Sequence, residues 1–341
     1  MRVLGVARRQ LRASTMRRRF AINAQRAVSD WCKTSLHDAS AALARSDVTA
    51  VELTQACITQ IEATRALNMF VHTDFERALR LAEESDKRRE IGATRGALDG
   101  IPVGIKDIFC MEDSTATRKL LEHGAIPLGK LNMDEFAMGS GTLYTPFGAT
   151  LNPWSTELSE DAAVVAGGSS GGSGSVRQPA AYCGIVGLKA TYGRVSRHGL
   201  ISFASSLDTP GIFARSVSDA ALVLKAIAGP DDMDSTSLVT DVSDQWCNDV
   251  IAKTSKSDLS GVRVGVPDEY FVAELPAEIV DVWDQGIQWL RDAGAQVVTV
   301  SLPTTKLCIP AYYILACAEA SSNLSRYDGV RYGYRYANQL N

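Results

Sequence analysis

The chain has 341 residues, of which 45% are hydrophobic and 22% charged, and its formal net charge is −4. This composition is typical of a folded globular protein, and no apolar run is long enough to span a bilayer. The seven cysteines are scattered without a Cys-x-x-Cys pair, which argues against a zinc ribbon and against a disulfide scaffold. We therefore expect reduced thiols and no membrane partner.

Residues 1–29 differ sharply in charge from the rest of the chain, because they contain eight arginines and no acidic residue. An arginine-rich, acid-free segment predicts a mitochondrial transit peptide and hence a location in the matrix, although a basic arm that binds nucleic acid has a similar composition. Without these arginines, 27 basic and 39 acidic residues remain, a net charge of −12. A protein as acidic as residues 30–341 binds RNA poorly. We therefore expect another subunit to hold any RNA.

Residues 30–90 carry helix signals. Thr49 and Glu52 have the spacing of a capping box, and apolar residues then recur at helical intervals as far as Ile61. Asp74 is placed to cap a second helix that runs to Arg89. The pattern predicts that residues 30–90 form a helical layer on a larger body.

The centre and the end of the chain carry strand signals. Residues 101–105 alternate in polarity, which predicts a strand that ends at Lys106, with Pro102 at its start or at a sheet edge. A capped helix over residues 216–228 follows, and then a strand over 262–266, an amphipathic helix ending near Gly294 and a strand over 297–300. This β-α-β order predicts parallel pairing in an α/β fold.

Residues 166–181 form the most informative stretch, with five glycines and four serines followed by an apolar run. Such runs are often linkers, but residues 162–166 and 185–188 on either side have the composition of buried core segments. The run has no P-loop lysine. No metal-ligand spacing is present, and no histidine is placed for a Ser-His-Asp triad. Serine with lysine as the base is the remaining nucleophilic chemistry.

Two motifs in the central part, residues 100–107 and 167–173, resemble those of the amidase signature family, and the resemblance extends over roughly residues 33–335. Four further segments are similar to the A subunits of glutamyl-tRNA(Gln) amidotransferases; they are residues 133–140, 196–208, 229–231 and 326–333. The resemblance implies an α/β fold with a mixed central sheet covered by helices on both faces, incomplete in this chain. Residues 30–341 would be a truncated amidase signature domain.

The resemblance also implies a Ser–cis-Ser–Lys triad. Lys106 would be the base, Ser169 the bridging serine in a cis peptide and Ser175 the nucleophile. The segment that would bind the oxyanion and the substrate comprises Gly172, Ser173 and Gly174.

As a glutaminase subunit, the protein would pass ammonia to a complex with B and C subunits. In that complex a partner subunit uses ATP and magnesium to convert Glu-tRNA(Gln) to Gln-tRNA(Gln), and the glutaminase itself needs no cofactor and no metal. A stand-alone amidase acting on another amide and a catalytically inactive truncated variant are the alternatives.

The chain departs from the family pattern at three places. Ser169 and Ser175 are only six positions apart, where the family has a helix and a strand, and six residues cannot hold both. A segment with a Thr-Thr-x-Ala-Ser strand is missing after Lys106. The chain stops at Asn341, before the part of the family domain that supplies glutamine-binding groups and sheet strands. We therefore expect an incomplete fold and no glutaminase turnover.

Overall fold

The computed structural model describes residues 28–157, 164–168, 176–239, 248–249 and 258–335. The chain divides into two compact units, residues 1–247 and residues 248–341, and each is described by itself. None of the helices described is both long and apolar enough to cross a membrane.

The first four helices among the described residues of the first unit are α1 (Val28–Trp31), α2 (Leu36–Arg45), α3 (Ala50–Ala63) and α4 (Phe75–Glu90). Both predicted caps are confirmed. Thr49 and Glu52 exchange the two hydrogen bonds of a capping box, and the Asp74 carboxylate accepts from the Arg77 N–H. Between α3 and α4 lies a strand that the sequence patterns did not predict, β1 (Phe70–Thr73).

A mixed sheet of three strands lies in this unit, with β2 (Pro102–Lys106), helix α5 (Thr115–Glu122) and β3 (Ile126–Leu131) following one another along the chain. The strand order is β1-β3-β2, with β1 antiparallel and β2 parallel to β3. The predicted strand ending at Lys106 is confirmed, and Pro102 is its first residue. The predicted mixed character of the sheet is also confirmed.

The rest of the first unit contains helix α6 (Arg177–Cys183), the antiparallel pair β4 (Val186–Lys189) and β5 (Gly211–Ala214), and helix α7 (Val217–Ile227). Ser216 caps α7 as predicted. The His37 N–H donates to the Asp219 carboxylate at 2.9 Å, so α7 is tied to α2.

Two apolar clusters hold the first unit together. One is formed by α2, α3 and α4 against the sheet, with Ile126 fully buried between them. The other joins α5 and α7 to residues of β4 and β5, with Val195 at its centre.

The second unit contains β6 (Arg263–Pro267), helix α8 (Ala277–Asp292), β7 (Gln296–Val300) and helix α9 (Thr305–Leu324). β6 and β7 pair in parallel from Arg263 opposite Gln296 to Pro267 opposite Val300. The predicted β-α-β unit is therefore confirmed.

Candidate active site

Lys106 lies where two parallel strands end side by side. It is paired with Leu131 at the end of β3, and the next residue, Asp107, donates its N–H to the Leu131 carbonyl at 3.0 Å. The backbone leaves the sheet directly afterwards in a turn, in which the Phe109 N–H donates to the Lys106 carbonyl at 3.1 Å. The carboxyl end of a parallel strand pair is a usual place for functional side chains.

The amine of Lys106 is surrounded by protein, and this burial lowers its pKa from the ordinary value of 10.5 to about 8. Burial disfavours the charged ammonium form, while the negative charges of Asp134 and Asp208 act in the opposite direction. A lysine with a pKa near 8 is neutral in a substantial fraction of molecules at neutral to slightly alkaline pH. It can therefore accept a proton, which an ordinary lysine rarely does.

Asp134, which follows β3, closes a loop beside Lys106. Its side chain is fully buried, and its carboxylate accepts the N–H groups of Thr142, Leu143 and Tyr144 at 2.9 to 3.0 Å. These three hydrogen bonds fix the position of the carboxylate. A negative charge is thus held at a fixed position near the base.

The first two glycines of the run, Gly167 and Gly168, lie against this loop. The Thr142 hydroxyl donates to the Gly167 carbonyl at 2.9 Å, and Gly168 lies so close to the loop that a Cβ there would be 2.0 Å from the Ser140 carbonyl carbon. Only glycine fits at such an approach. The residues immediately before Ser169 are thereby placed against the loop that Asp134 closes.

A second carboxylate approaches from the loop over residues 198–208. The Ile201 N–H donates to the Ile108 carbonyl at 3.1 Å, which fastens this loop to the turn after Lys106. Asp208 is buried, and its carboxylate accepts the N–H groups of Phe203 and Ala204 at 2.9 and 3.1 Å. The base therefore lies in the field of two buried carboxylates on two separate loops.

The other predicted site residues lie outside the described residues: Ser169 and Ser175 of the predicted triad, with the proposed cis peptide, and Gly172, Ser173 and Gly174 of the predicted oxyanion segment. Their roles stay predictions. The described residues nearest to them in the chain are Gly168 and Val176, both of which are buried.

The flanks of the glycine-rich run differ from the expectation. They were expected to be buried core segments, which is wrong at Val164 and Ile185, because each is 41% exposed. In the second flank, Val186 and Leu188 of β4 are half-buried and pack against the second apolar cluster. Hydrogen bonds also hold the first flank in place. The buried Asn152 donates its side-chain amide to the carbonyls of Val165 and Tyr182, at 3.3 and 3.0 Å.

The sequence patterns also missed the roles of Asp134, Thr142 and Asp208. Asp134 carried a usable signal, because it follows the strand that is parallel to β2 and neighbouring strand ends meet at one sheet edge. The contact from Thr142 to Gly167 spans 25 positions, and nothing local in the sequence indicates it.

A protein-family profile described as Amidase matches residues 52–341. The chain belongs to the amidase family. The A subunit of glutamyl-tRNA(Gln) amidotransferase from Cereibacter sphaeroides (strain ATCC 17029) is 48% identical over 337 aligned positions, which cover 88% of this chain and 66% of the relative. The alignment has 337 positions, but the 88% of this chain that it covers is only about 300 of the 341 residues. The alignment therefore contains gaps in this chain, opposite residues that the relative has.

Solved structures of the family share the fold. The native peptide amidase from Stenotrophomonas maltophilia has a TM-score of 0.72 and 29% identity, covering 88% of this chain and 68% of that one. The A subunit of glutamyl-tRNA(Gln) amidotransferase from Thermotoga maritima has a TM-score of 0.57 and 34% identity, covering 67% of this chain and 56% of that one. These neighbours confirm the predicted amidase signature fold.

Proposed function

We propose that this chain is the glutamine-hydrolysing A subunit of a glutamyl-tRNA(Gln) amidotransferase that works in mitochondria. The observation that carries the reaction type is Lys106, a lysine at the end of β2 with a pKa of about 8, beside the loop against which Gly167 and Gly168 lie. The similarity to bacterial A subunits, at 48% identity, supports the choice of glutamine as the amide. The acid-free arginine-rich residues 1–29 support the mitochondrial location.

In the proposed reaction, neutral Lys106 accepts a proton from the Ser169 hydroxyl, and Ser169 takes the proton of Ser175. The Ser175 oxygen then attacks the side-chain carbonyl carbon of glutamine. Collapse of the tetrahedral intermediate breaks the C–N bond, and the proton returns through the same relay to the nitrogen, which leaves as ammonia. Water hydrolyses the resulting ester to glutamate and regenerates the serine.

The proposed partners follow from the same assignment. The B and C subunits would complete the complex, and the subunit that binds ATP and magnesium would activate Glu-tRNA(Gln) and consume the ammonia. No cofactor is assigned to the chain described here. Its acidic body, with a net charge of −12 beyond the leader, is consistent with an RNA held by another subunit.

The short spacing between Ser169 and Ser175 argues against glutamine hydrolysis by this chain as it stands. A nucleophile must lie within hydrogen-bond reach of its base, and oxyanion donors are each worth roughly 3 kcal/mol. The family places a helix and a strand between the two serines, and this chain has six positions. We expect turnover only in a completed chain, meaning this sequence with the segments of its longer relatives inserted.

A stand-alone amidase is the second candidate. It is favoured by the peptide amidase structure, which matches a larger share of this chain than the Thermotoga maritima protein does. Two measurements separate the candidates: co-purification of the tagged chain with coexpressed B and C subunits, and ammonia release by the completed chain from glutamine compared with a peptide amide. We expect a stable complex and a preference for glutamine. A free chain that prefers the peptide amide would refute the amidotransferase assignment.

The pH profile of the completed chain tests the base. Because Lys106 must be neutral to accept a proton, we expect kcat/KM to rise with pH up to about 8, the pKa of Lys106. A flat profile between pH 6 and 9 would contradict a lysine base.

The location is tested with a fusion of residues 1–35 to a fluorescent protein. We expect the fusion to enter mitochondria. Cytosolic or nuclear fluorescence would refute the proposed location.

A further inference from the structure

The loop beside Lys106 is strained. Phe136, Ala137 and Thr142 have φ angles of 52°, 61° and 53°, in the left-handed region, and they are three of the five non-glycine residues with positive φ among those described. Residues in this region persist only where surrounding contacts over-determine them, and they cluster at functional sites. The loop over residues 134–144 therefore depends on its anchoring contacts.

Asp134 supplies those anchors. Its two carboxylate oxygens accept three consecutive N–H groups of residues 142–144, and the Glu135 N–H donates to the Tyr144 carbonyl at 2.7 Å. Thr142, one of the strained residues, is held through its N–H and in turn donates its hydroxyl to Gly167. One buried carboxylate thus connects the strand end beside the base to the segment leading into Ser169.

Asp134 is one of two carboxylates whose negative charge acts on the Lys106 amine. The second is Asp208. The other charged pair at these strand ends is Lys130 on β3 with Asp107, 3.2 Å apart, and Lys130 also donates to the carbonyls of Asp107 and Phe109. Asp134 therefore combines a charge near the amine with a structural hold on the docking loop.

We propose that Asp134 is a positioning residue, which fixes the Lys106 amine through its charge and holds Gly167 and Gly168 through the loop it closes. This inference deepens the proposed function, because Lys106 is the base there. It assigns a role to a side chain that takes no step in the proposed proton relay.

The test measures how Lys106 itself titrates in the full chain, without any need for turnover. Lysines are acetylated with acetic anhydride at a series of pH values, and the modified peptides are quantified by mass spectrometry with the exposed Lys87 as an internal reference. The variant Asp134→Asn removes the charge and keeps the size. We expect the midpoint of Lys106 labelling to fall by roughly one pH unit, because the loss of a nearby negative charge destabilises the ammonium.

Asp219→Asn is the matched control. Asp219 is equally buried, but it lies on α7 and binds the His37 N–H. We expect this variant to leave the Lys106 midpoint unchanged. A folded Asp134→Asn protein with an unchanged midpoint, or an equal shift in Asp219→Asn, would overturn the proposal.

The second variant tests the loop without changing any charge. Thr142→Val replaces the hydroxyl that donates to Gly167 with a methyl group and keeps the branched shape of the side chain. We expect faster deuterium uptake in residues 164–168 with the Lys106 midpoint unchanged. Unchanged uptake would overturn the docking role, even if Asp134→Asn should fail to fold.

The labelling result and the ammonia assay can fail separately. A shifted midpoint in a chain whose completed form does not hydrolyse glutamine would refute the proposed function and leave the positioning role of Asp134 standing.

Discussion

The described parts of residues 28–239 and 258–335 both contain helices and short strands, but they differ in how much apolar surface they bury. The described part of the first unit has two apolar clusters, with Leu43, Ile126 and Val195 at most 2% exposed. In residues 258–335 only three side chains are buried, all of them alanines: Ala295, Ala316 and Ala320. The large side chains of this second region, such as Trp289 and Ile314, are 63% and 71% exposed.

This difference shows that a sequence pattern can specify helices and strands without ensuring that their apolar faces are buried. The β6-α8-β7 unit forms as its sequence predicts, yet a parallel pair of strands with one face covered is marginal by itself. Parallel sheets in this fold class are normally covered on both faces. The chain spans 66% of the length of the Cereibacter sphaeroides relative, and the candidate site lies in the region with the better core.

The largest expected contrast comes from the same substitution in each region. Ile126→Ala should cost about 3 kcal/mol in the free energy of unfolding, because Ile126 is fully buried and its truncation leaves a cavity. Ile314→Ala should change it by less than about 0.5 kcal/mol, because that side chain is largely exposed. Urea unfolding followed by circular dichroism measures both, and equal costs would remove the contrast.

A pair of glycine substitutions should shift stability in opposite directions. Gly168→Ala places a Cβ 2.0 Å from the Ser140 carbonyl carbon, and relief of this clash should cost roughly 1–3 kcal/mol. Gly286→Ala lies inside α8 with no atom within 4 Å of the added Cβ, so it should stabilise the helix by about 0.5–1 kcal/mol. Thermal unfolding of the two variants checks the signs, and a stabilising Gly168→Ala would show that the segment does not dock as described.

The smallest expected effect concerns acid stability. Burial raises the pKa of Asp234, but hydrogen bonds from the side chain and N–H of Arg197 and from Thr236 together outweigh this and lower it to about 2. A depressed carboxyl pKa stabilises the fold above the unfolded value near 4, and this contribution is lost as the pH falls toward 2. With allowance for solvent screening it is worth roughly 1–2 kcal/mol.

Asp234→Asn should therefore flatten the decline of stability between pH 4 and pH 2. The comparison residue in the second region is Glu269, a surface side chain that accepts the Ser301 hydroxyl and the Leu302 N–H. Glu269→Gln should leave the acid branch nearly unchanged. If the Glu269 variant flattens the curve more than the Asp234 variant, the acid-sensitive contacts lie in residues 258–335, which would contradict this prediction.

Much of the fold could be predicted because its signals are local. The caps at Thr49, Asp74 and Ser216 and the strand ending at Lys106 all depend on residues within a few positions of one another. β1 was missed because four residues between two helices are too few to show a period. The burial expected around Val164 and Ile185 failed because apolar composition does not specify whether another layer covers a segment.

The candidate site was predictable only where a family motif carried it. Lys106 was identified from its motif, and its pKa near 8 supports its role as the base. The roles of Asp134 and Asp208 depend on which loops meet beside the strand ends. Those loops are brought together by hydrogen bonds such as Ile201 to Ile108 and Thr142 to Gly167, which join distant parts of the sequence.

The most direct test of the lysine-based glutaminase is ammonia release from glutamine, measured with the B and C subunits present, for the 341-residue chain, the completed chain and its Lys106→Ala variant. We predict turnover in the completed chain, a loss of at least about a hundredfold on removal of the base, and none in the 341-residue chain. Comparable turnover in the 341-residue chain would show that the segments between Ser169 and Ser175 are dispensable. Full turnover in the Lys106→Ala variant would contradict the lysine base itself.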